Sequence, residues 1–217
     1  MNEINTDFSN EELERLFTLS MRIFGDYRDP NRGPFAMLYI FSETVDNFDS
    51  SLIKTVELAN VGLAKSIGIC GKEETSGFPG FDWTSERLYK LGLKRDVPIV
   101  RIYLEESLNT RSEAIALISH VRTLHGDVGI IAPAFHLVRA FMTTVSVVAG
   151  IPLHVFAIPG IPLSWGENVV HSQGVLRNTR LGLINDELTR IGKYQAPEFG
   201  SLCNAQNVLS YLEWRDS

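Results

Sequence analysis

The sequence predicts an α/β protein, a three-layer, doubly wound, mostly parallel sheet of five strands with helices on both faces. Three observations predict it. Five short runs, "MLYIFS" from Met37, "SIGIC" from Ser66, "PIVRI" from Pro98, "VGIIA" from Val128 and "LHVFA" from Leu153, are nearly continuously apolar, as strands buried on both faces must be. The stretches between them carry helical spacing and not hairpin turns, so successive strands are joined by crossovers and run parallel. At 217 residues, the chain suits a single domain with one core.

Residues 1–30 hold an N-terminal helix. Ser9 and Glu12 have the spacing of a capping box, Phe8 and Leu13 that of a hydrophobic staple, and the inner face is expected to be Leu13, Leu16, Phe17 and Phe24. Residues 37–159 form the core. Leu52, Val56, Ala59 and Leu63 make one helical stripe between strands, and Ala114, Leu117, Val121 and Leu124 make another. Residues 160–217 pack on that core as a long loop, "IPGIPLSWGENVVHSQG" at its start, and then a helix carrying Ile184, Leu188 and Ile191.

Composition narrows the function. The net charge is −6, from 20 basic and 26 acidic residues, with no clustered basic face for a polyanion; a nucleic-acid partner is not expected and a small-molecule ligand is. Cys70 lies in an apolar run and Cys203 in a polar tail, which suggests reduced thiols in the cytoplasm. The acidic, amphipathic start lacks the plan of a secretory signal. The longest apolar region is interrupted by His136, Arg139 and His154, so no membrane span is expected. A homodimer remains open.

Right-handed crossovers gather the loops that leave the strands' C-terminal ends on one edge, the default binding site. In "APAFHLVRA", Pro133 suits a first helical turn and places His136 and Arg139 on one face, where cationic donors beside a helix N-terminus can bind phosphate or carboxylate. The alternative is an internal bridge from Arg139 to Glu105 or Glu106, with His136 a satisfied core histidine. Both stay open. In "EESLNTRSE", Thr110 and Glu113 have capping-box spacing, while Glu105, Glu106, Ser107 and Asn109 cluster polar groups at a strand end. Gly71 follows the second strand directly, where a glycine lets backbone approach a ligand, with Lys72 and Glu73 beyond it.

No phosphate-loop or dinucleotide fingerprint is present. The five histidines show no helical pair at ligand spacing, and Glu43, Asp46 and Asp49 read as a solvated acidic loop, so no metal is expected. Cys70 reads as a buried core residue. Trp165, Glu167 and His171 are candidates for a lid or for surface packing.

"ICG" after the second strand, "EESLNT" with "EA" after the third and "APAFHLVRA" after the fourth together resemble the bacterial YdcF, SanA and ElyC family, over roughly residues 37–159. That family's Ser-Gly-Gly appears here as Cys70-Gly71-Lys72. Its Ser-x-Asn-Thr motif falls on Ser107, Asn109 and Thr110, with Ser112 where glutamate is frequent and Glu113 following. Its His-x-x-Arg-Ala falls on His136, Arg139 and Ala140, and its glycine-rich first turn is replaced by Ser42-Glu43-Thr44. The resemblance implies a Rossmann-like fold and, through the soluble branch associated with S-adenosylmethionine, a nucleotide-type or phosphorylated ligand.

Two functional expectations follow. The first is a hydrolase or group transferase acting on a phosphorylated or nucleotide-linked small molecule, with His136 as general acid or base, Glu106 orienting it and Asn109 fixing a polar group. Arg139 would hold the anion, with Ser107, Thr110, Gly71, Lys72 and Glu43 as further ligand contacts. The second is a non-catalytic module that binds S-adenosylmethionine or a nucleoside, with Glu43 or Glu73 on the ribose hydroxyls.

Overall fold

A computed structural model describes residues 8–26, 30–196, 198–199 and 202–217. The acidic residues before Phe8 lie outside that description. Strands β1 (Met37–Ile40), β2 (Ile67–Cys70), β3 (Ile99–Ile102), β4 (Val128–Ala132) and β5 (Val155–Pro159) form one sheet in the order β3-β2-β1-β4-β5. Every pairing is parallel, Leu38 facing Ile67 on one side and Gly129 on the other. The expected five-stranded, doubly wound sheet is thus present and wholly parallel.

Strand alternation sorts the core into layers. Met37, Tyr39 and Phe41 point to one face, with Val128 and Ile130, and are covered by α1 (Asn10–Phe24), α4 (Thr110–Val121), α5 (Ala134–Val148) and α8 (Ala205–Asp216). Ile40 and Ile69 point to the other, under α2 (Val45–Asn60) and α3 (Phe81–Lys90). The two stripes read from the sequence are buried through Leu52, Val56 and Ala59 and through Ala114, Leu117 and Val121; Leu63 and Leu124 fall beyond the helix ends. Among the described residues no helix is long and apolar enough to cross a membrane.

Three local expectations need correction. The capping box of Ser9 and Glu12 forms, but α1 buries Leu16, Leu19 and Ile23; Leu13, Phe17 and Phe24 are exposed. Two adjacent rows of this helix are apolar, and the narrow contact with α8 and β5 takes only one. At α4 the cap is Asn109 with Ser112, not Thr110 with Glu113, because the Asn109 carboxamide reaches the amides of Arg111 and Ser112. Within the expected long loop, β6 (Asn168–His171) and β7 (Leu176–Thr179) pair with each other as an antiparallel hairpin joined by the short α6 (Ser172–Val175).

That hairpin is clamped to the start of α2. Thr44 Oγ1 donates to the Val170 carbonyl at 2.6 Å, and the Val170 amide donates to Asp46 at 2.9 Å. The buried Arg180, at the start of α7 (Arg180–Gln195), donates to Asn47 Oδ1 and to the Asp46 and Ser164 carbonyls. Asp46 is therefore a clamp residue and Asp49 pairs with Arg87, so neither joins Glu43. The clamp carries His171 to the C-terminal edge of the sheet.

Candidate functional site

In an open α/β sheet the crevice lies where the strand order reverses, here between β1 and β4. A cavity of about 360 Å³ opens there, walled by the turn after β1, the first turns of α4 and α5, His171 and the inner face of α7. A wider groove of about 790 Å³ between the end of α5 and α8 has no carboxylate or imidazole among its described lining residues.

Behind the cavity-lining His136, Arg139, His171 and Arg190 sits Glu187, on α7 and 3% exposed. Its carboxylate accepts from His136 Nδ1 at 2.9 Å, Arg139 Nε at 2.5 Å, Arg139 Nη2 at 3.2 Å, His171 Nε2 at 3.3 Å and Arg190 Nη1 at 2.5 Å. Arg139 and His136 do share one helical face, and they have an internal counterpart. It is neither Glu105 nor Glu106, both exposed and off the cavity, but Glu187. Burial alone would raise the Glu187 carboxyl; the charges of Arg139 and the imidazoles outweigh it and hold the group well below the usual range.

Arg139 Nη2 stands 3.1 Å from His136 Nδ1 and donates to Glu187 Oε1 at 3.2 Å; with ionised Glu187 able only to accept, the closer contact at 2.9 Å assigns the proton to His136 Nδ1. His136 Nε2 has no partner among the described residues, and it is not among the enclosed polar atoms left unsatisfied; it opens to the cavity that His136 lines. A carboxylate behind an imidazole fixes its tautomer and leaves the other nitrogen for chemistry.

His171 lies between two carboxylates. Burial alone would lower its pKa, but the Glu187 and Glu43 carboxylates raise it to about 9. Its Nδ1 is 3.5 Å from Glu43 Oε2, an ionic contact too long for a formed hydrogen bond, and is otherwise without a partner. Glu43 is held low despite its burial, chiefly by His171. Arg139, Arg190 and His171, with Arg190 Nη1 2.8 Å from His171 Nε2, face the Glu187 and Glu43 carboxylates, and Glu113 adds a further carboxyl to the cavity wall. Arg139 Nη1 also donates to Thr110 Oγ1 at 2.8 Å, orienting that hydroxyl's own proton elsewhere.

The sequence-derived site residues divide. His136, Arg139, Asn109, Thr110 and Glu43 line the cavity; Glu106, Ser107, Gly71 and Lys72 do not. Asn109 is engaged as the α4 cap, its Nδ2 donating to the Ser107 carbonyl. The space beside Gly71 belongs to β3: an added Cβ would lie 2.8 Å from Arg101 Cγ and 3.0 Å from the Ile102 carbonyl oxygen. The close approach anticipated there is to a neighbouring strand. Glu73 is exposed and turned toward Arg101. Cys70 is buried, and burial pushes its thiol up to about 12, as suits a core residue. Of the three lid candidates, His171 enters the site, Glu167 pairs with Arg180 and Trp165 stays outside the cavity.

Glu187, Arg190, Ser42 and Glu113 were missed. Glu187 stands four residues after Leu183 and four before Ile191, within the buried stripe of α7. A carboxylate in an apolar stripe is the available signal; of Ile184, Leu188 and Ile191, only Ile191 lies in that buried stripe. Arg190 bridges to Glu187 from one turn further along α7. Compared with protein-family models, curated proteins and solved structures, the chain matches none.

Proposed function

We propose that the protein is an enzyme, a hydrolase or group transferase, acting on a phosphorylated or nucleotide-linked small molecule in the cavity between β1 and β4. The observation that carries this reading is the His136–Glu187 pair at 2.9 Å, which turns Nε2 toward the cavity as a proton acceptor. Glu187 takes the orienting role first given to Glu106. The cationic side chains of Arg139 and Arg190 on the cavity wall favour an anionic substrate, and the Thr110 hydroxyl remains able to donate to it. The resemblance to the YdcF, SanA and ElyC family belongs to the same proposal.

The test is incubation with a panel of phosphate monoesters, phosphodiesters and nucleotide-linked compounds, with products followed by mass spectrometry. His136→Asn should lower turnover by on the order of 100-fold or more while binding persists, and Arg190→Ala should weaken binding. Undiminished turnover in His136→Asn would remove the assignment. S-adenosylmethionine or a nucleoside that binds and stays unconverted would shift the reading to the non-catalytic module, with Glu43 the carboxylate within the cavity.

A further inference from the structure

A second buried carboxyl lies on the cavity wall, and the site chemistry above does not use it. Glu113, in the first turn of α4, is 3% exposed. One of its oxygens, Oε1, takes three donors: Tyr39 Oη at 2.9 Å, the Ser42 amide at 3.0 Å and Ser42 Oγ at 2.9 Å. The other, Oε2, has no hydrogen-bond partner among the described residues. It is also not among the enclosed polar atoms left unsatisfied, so it opens onto the cavity that Glu113 lines. An oxygen saturated by three donors has no room for a proton of its own. When this carboxyl is protonated, its proton sits on Oε2.

We infer that Glu113 is the second proton-exchanging group of the cavity, presenting Oε2 to the ligand while Tyr39 and Ser42 hold Oε1. The inference deepens the enzymatic reading and rests on it for the step itself. His136 Nε2 accepts the proton of the attacking water or hydroxyl as the new bond forms to the transferred group. Glu113 gives its Oε2 proton to the departing oxygen as that bond breaks, and exchange with solvent restores both groups. Burial raises the carboxyl, the Ser42 and Tyr39 donors pull it back, the Glu43 charge raises it again, and it settles at about 7, where it can both give and take a proton. The other ionisable groups that face it are the phenol of Tyr39 and the thiol of Cys70, both held neutral by burial. His136 and Arg139 share its cavity from α5.

Two measurements on the full chain decide it. Carbodiimide activation with an amine probe just below neutral pH, mapped by peptide mass spectrometry, should label Glu113 together with the exposed Glu105 and Glu106. Labelling of the exposed pair without Glu113 would overturn the inference. In protein carrying carbon-13 at the glutamate carboxyls, the resonance lost in Glu113→Gln should titrate near 7. It should move higher in Tyr39→Phe, which removes a donor to the ionised form, and an ordinary carboxylate midpoint would overturn the inference as well. On a substrate from the panel, Glu113→Gln should keep binding and lose the limb of the pH–rate profile near 7. An unchanged profile beside an inactive His136→Asn removes Glu113 alone; a panel without product removes the enzymatic reading, while labelling and titration still decide Glu113.

Discussion

Two clusters of buried charge sit on this sheet, and they are built differently. Arg215 on α8, its side chain wholly buried, pairs with Asp26 through two hydrogen bonds of 2.8 and 2.6 Å, donates to the Val155 carbonyl at 2.8 Å and lies 4.1 Å over the Phe156 ring. Asp26 in turn accepts from the Ala157 amide at 3.0 Å. Side chains thus satisfy the open edge of β5, the outermost strand, which would otherwise offer unpaired backbone groups to another chain. Arg215 and Asp26 are each partnered, and neither lines the cavity between β1 and β4 or the groove between α5 and α8. The Glu187 cluster holds an unpartnered His171 Nδ1, and its His136, Arg139, His171 and Arg190 line a cavity. Saturation marks the first as a clasp, and its lack suits the second to the ligand site proposed above.

Removing one partner from each should expose that difference. Arg215→Ala leaves the buried Asp26 carboxylate without its counter-ion, held by the Ala157 amide, and should cost about 5 kcal/mol, the upper end for a broken buried pair, read as a large fall in urea midpoint at constant slope. The Glu113 titration should be untouched. Glu187→Gln keeps an acceptor but leaves Arg139 and Arg190 without their counter-ion and His171 with Glu43 alone, and should cost about 3 to 4 kcal/mol. Inorganic phosphate should restore much of that loss, because an anion can enter the cavity and bind the folded state, and should do nothing for Arg215→Ala. Equal rescue of both variants would show that the clusters do not differ in the way the geometry implies.

The sheet was legible because its strands are apolar on both faces and its crossovers follow a helical period, patterns that depend on local sequence alone. His136 and Arg139 were legible for a similar reason, as polar residues where an apolar helix starts. Their partner was not. Glu187 lies 48 residues beyond Arg139, on a helix whose docking depends on the hairpin clamp, and no local pattern relates the two. Glu106 was the wrong carboxylate because proximity in sequence to a strand end does not turn a side chain inward; the Asn109 cap directs that loop outward. Gly71 misled for a related reason, since a glycine signals a close approach without saying to what.

At the cavity itself, two groups should differ in their response to pH. The Glu113 pKa is raised in the fold, from 4.5 to about 7, so its contribution is whole below 4.5 and is lost as pH rises through 7. Glu113→Gln removes this penalty and should stabilise the protein above pH 7 by no more than about 3 kcal/mol, with no gain in acid. His171, raised from 6.5 to about 9, contributes fully below 6.5 and loses its contribution as pH rises through 9. That alkaline step should survive in Glu113→Gln. Unfolding midpoints measured from pH 4 to pH 10 would separate the two steps, and a single common step would mean the groups titrate as one.

The smallest effect expected belongs to the clasp. Tyr211 Oη donates to the Leu153 carbonyl at 2.8 Å and accepts from the Val155 amide at 2.7 Å, bridging two backbone groups of the sheet edge with a single hydroxyl. Tyr211→Phe keeps the ring against Phe141 and Trp214 and deletes only that bridge. The loss should be about 1 to 2 kcal/mol, the cost of leaving a partly buried donor and acceptor without partners, and hydrogen exchange at the Val155 amide should quicken more than elsewhere in β5. Because the clasp is saturated, nothing nearby can take over the bridge. A loss of stability too small to measure, with Val155 exchange unchanged, would mean that water reaches this edge and that the clasp is less closed than its hydrogen bonds imply.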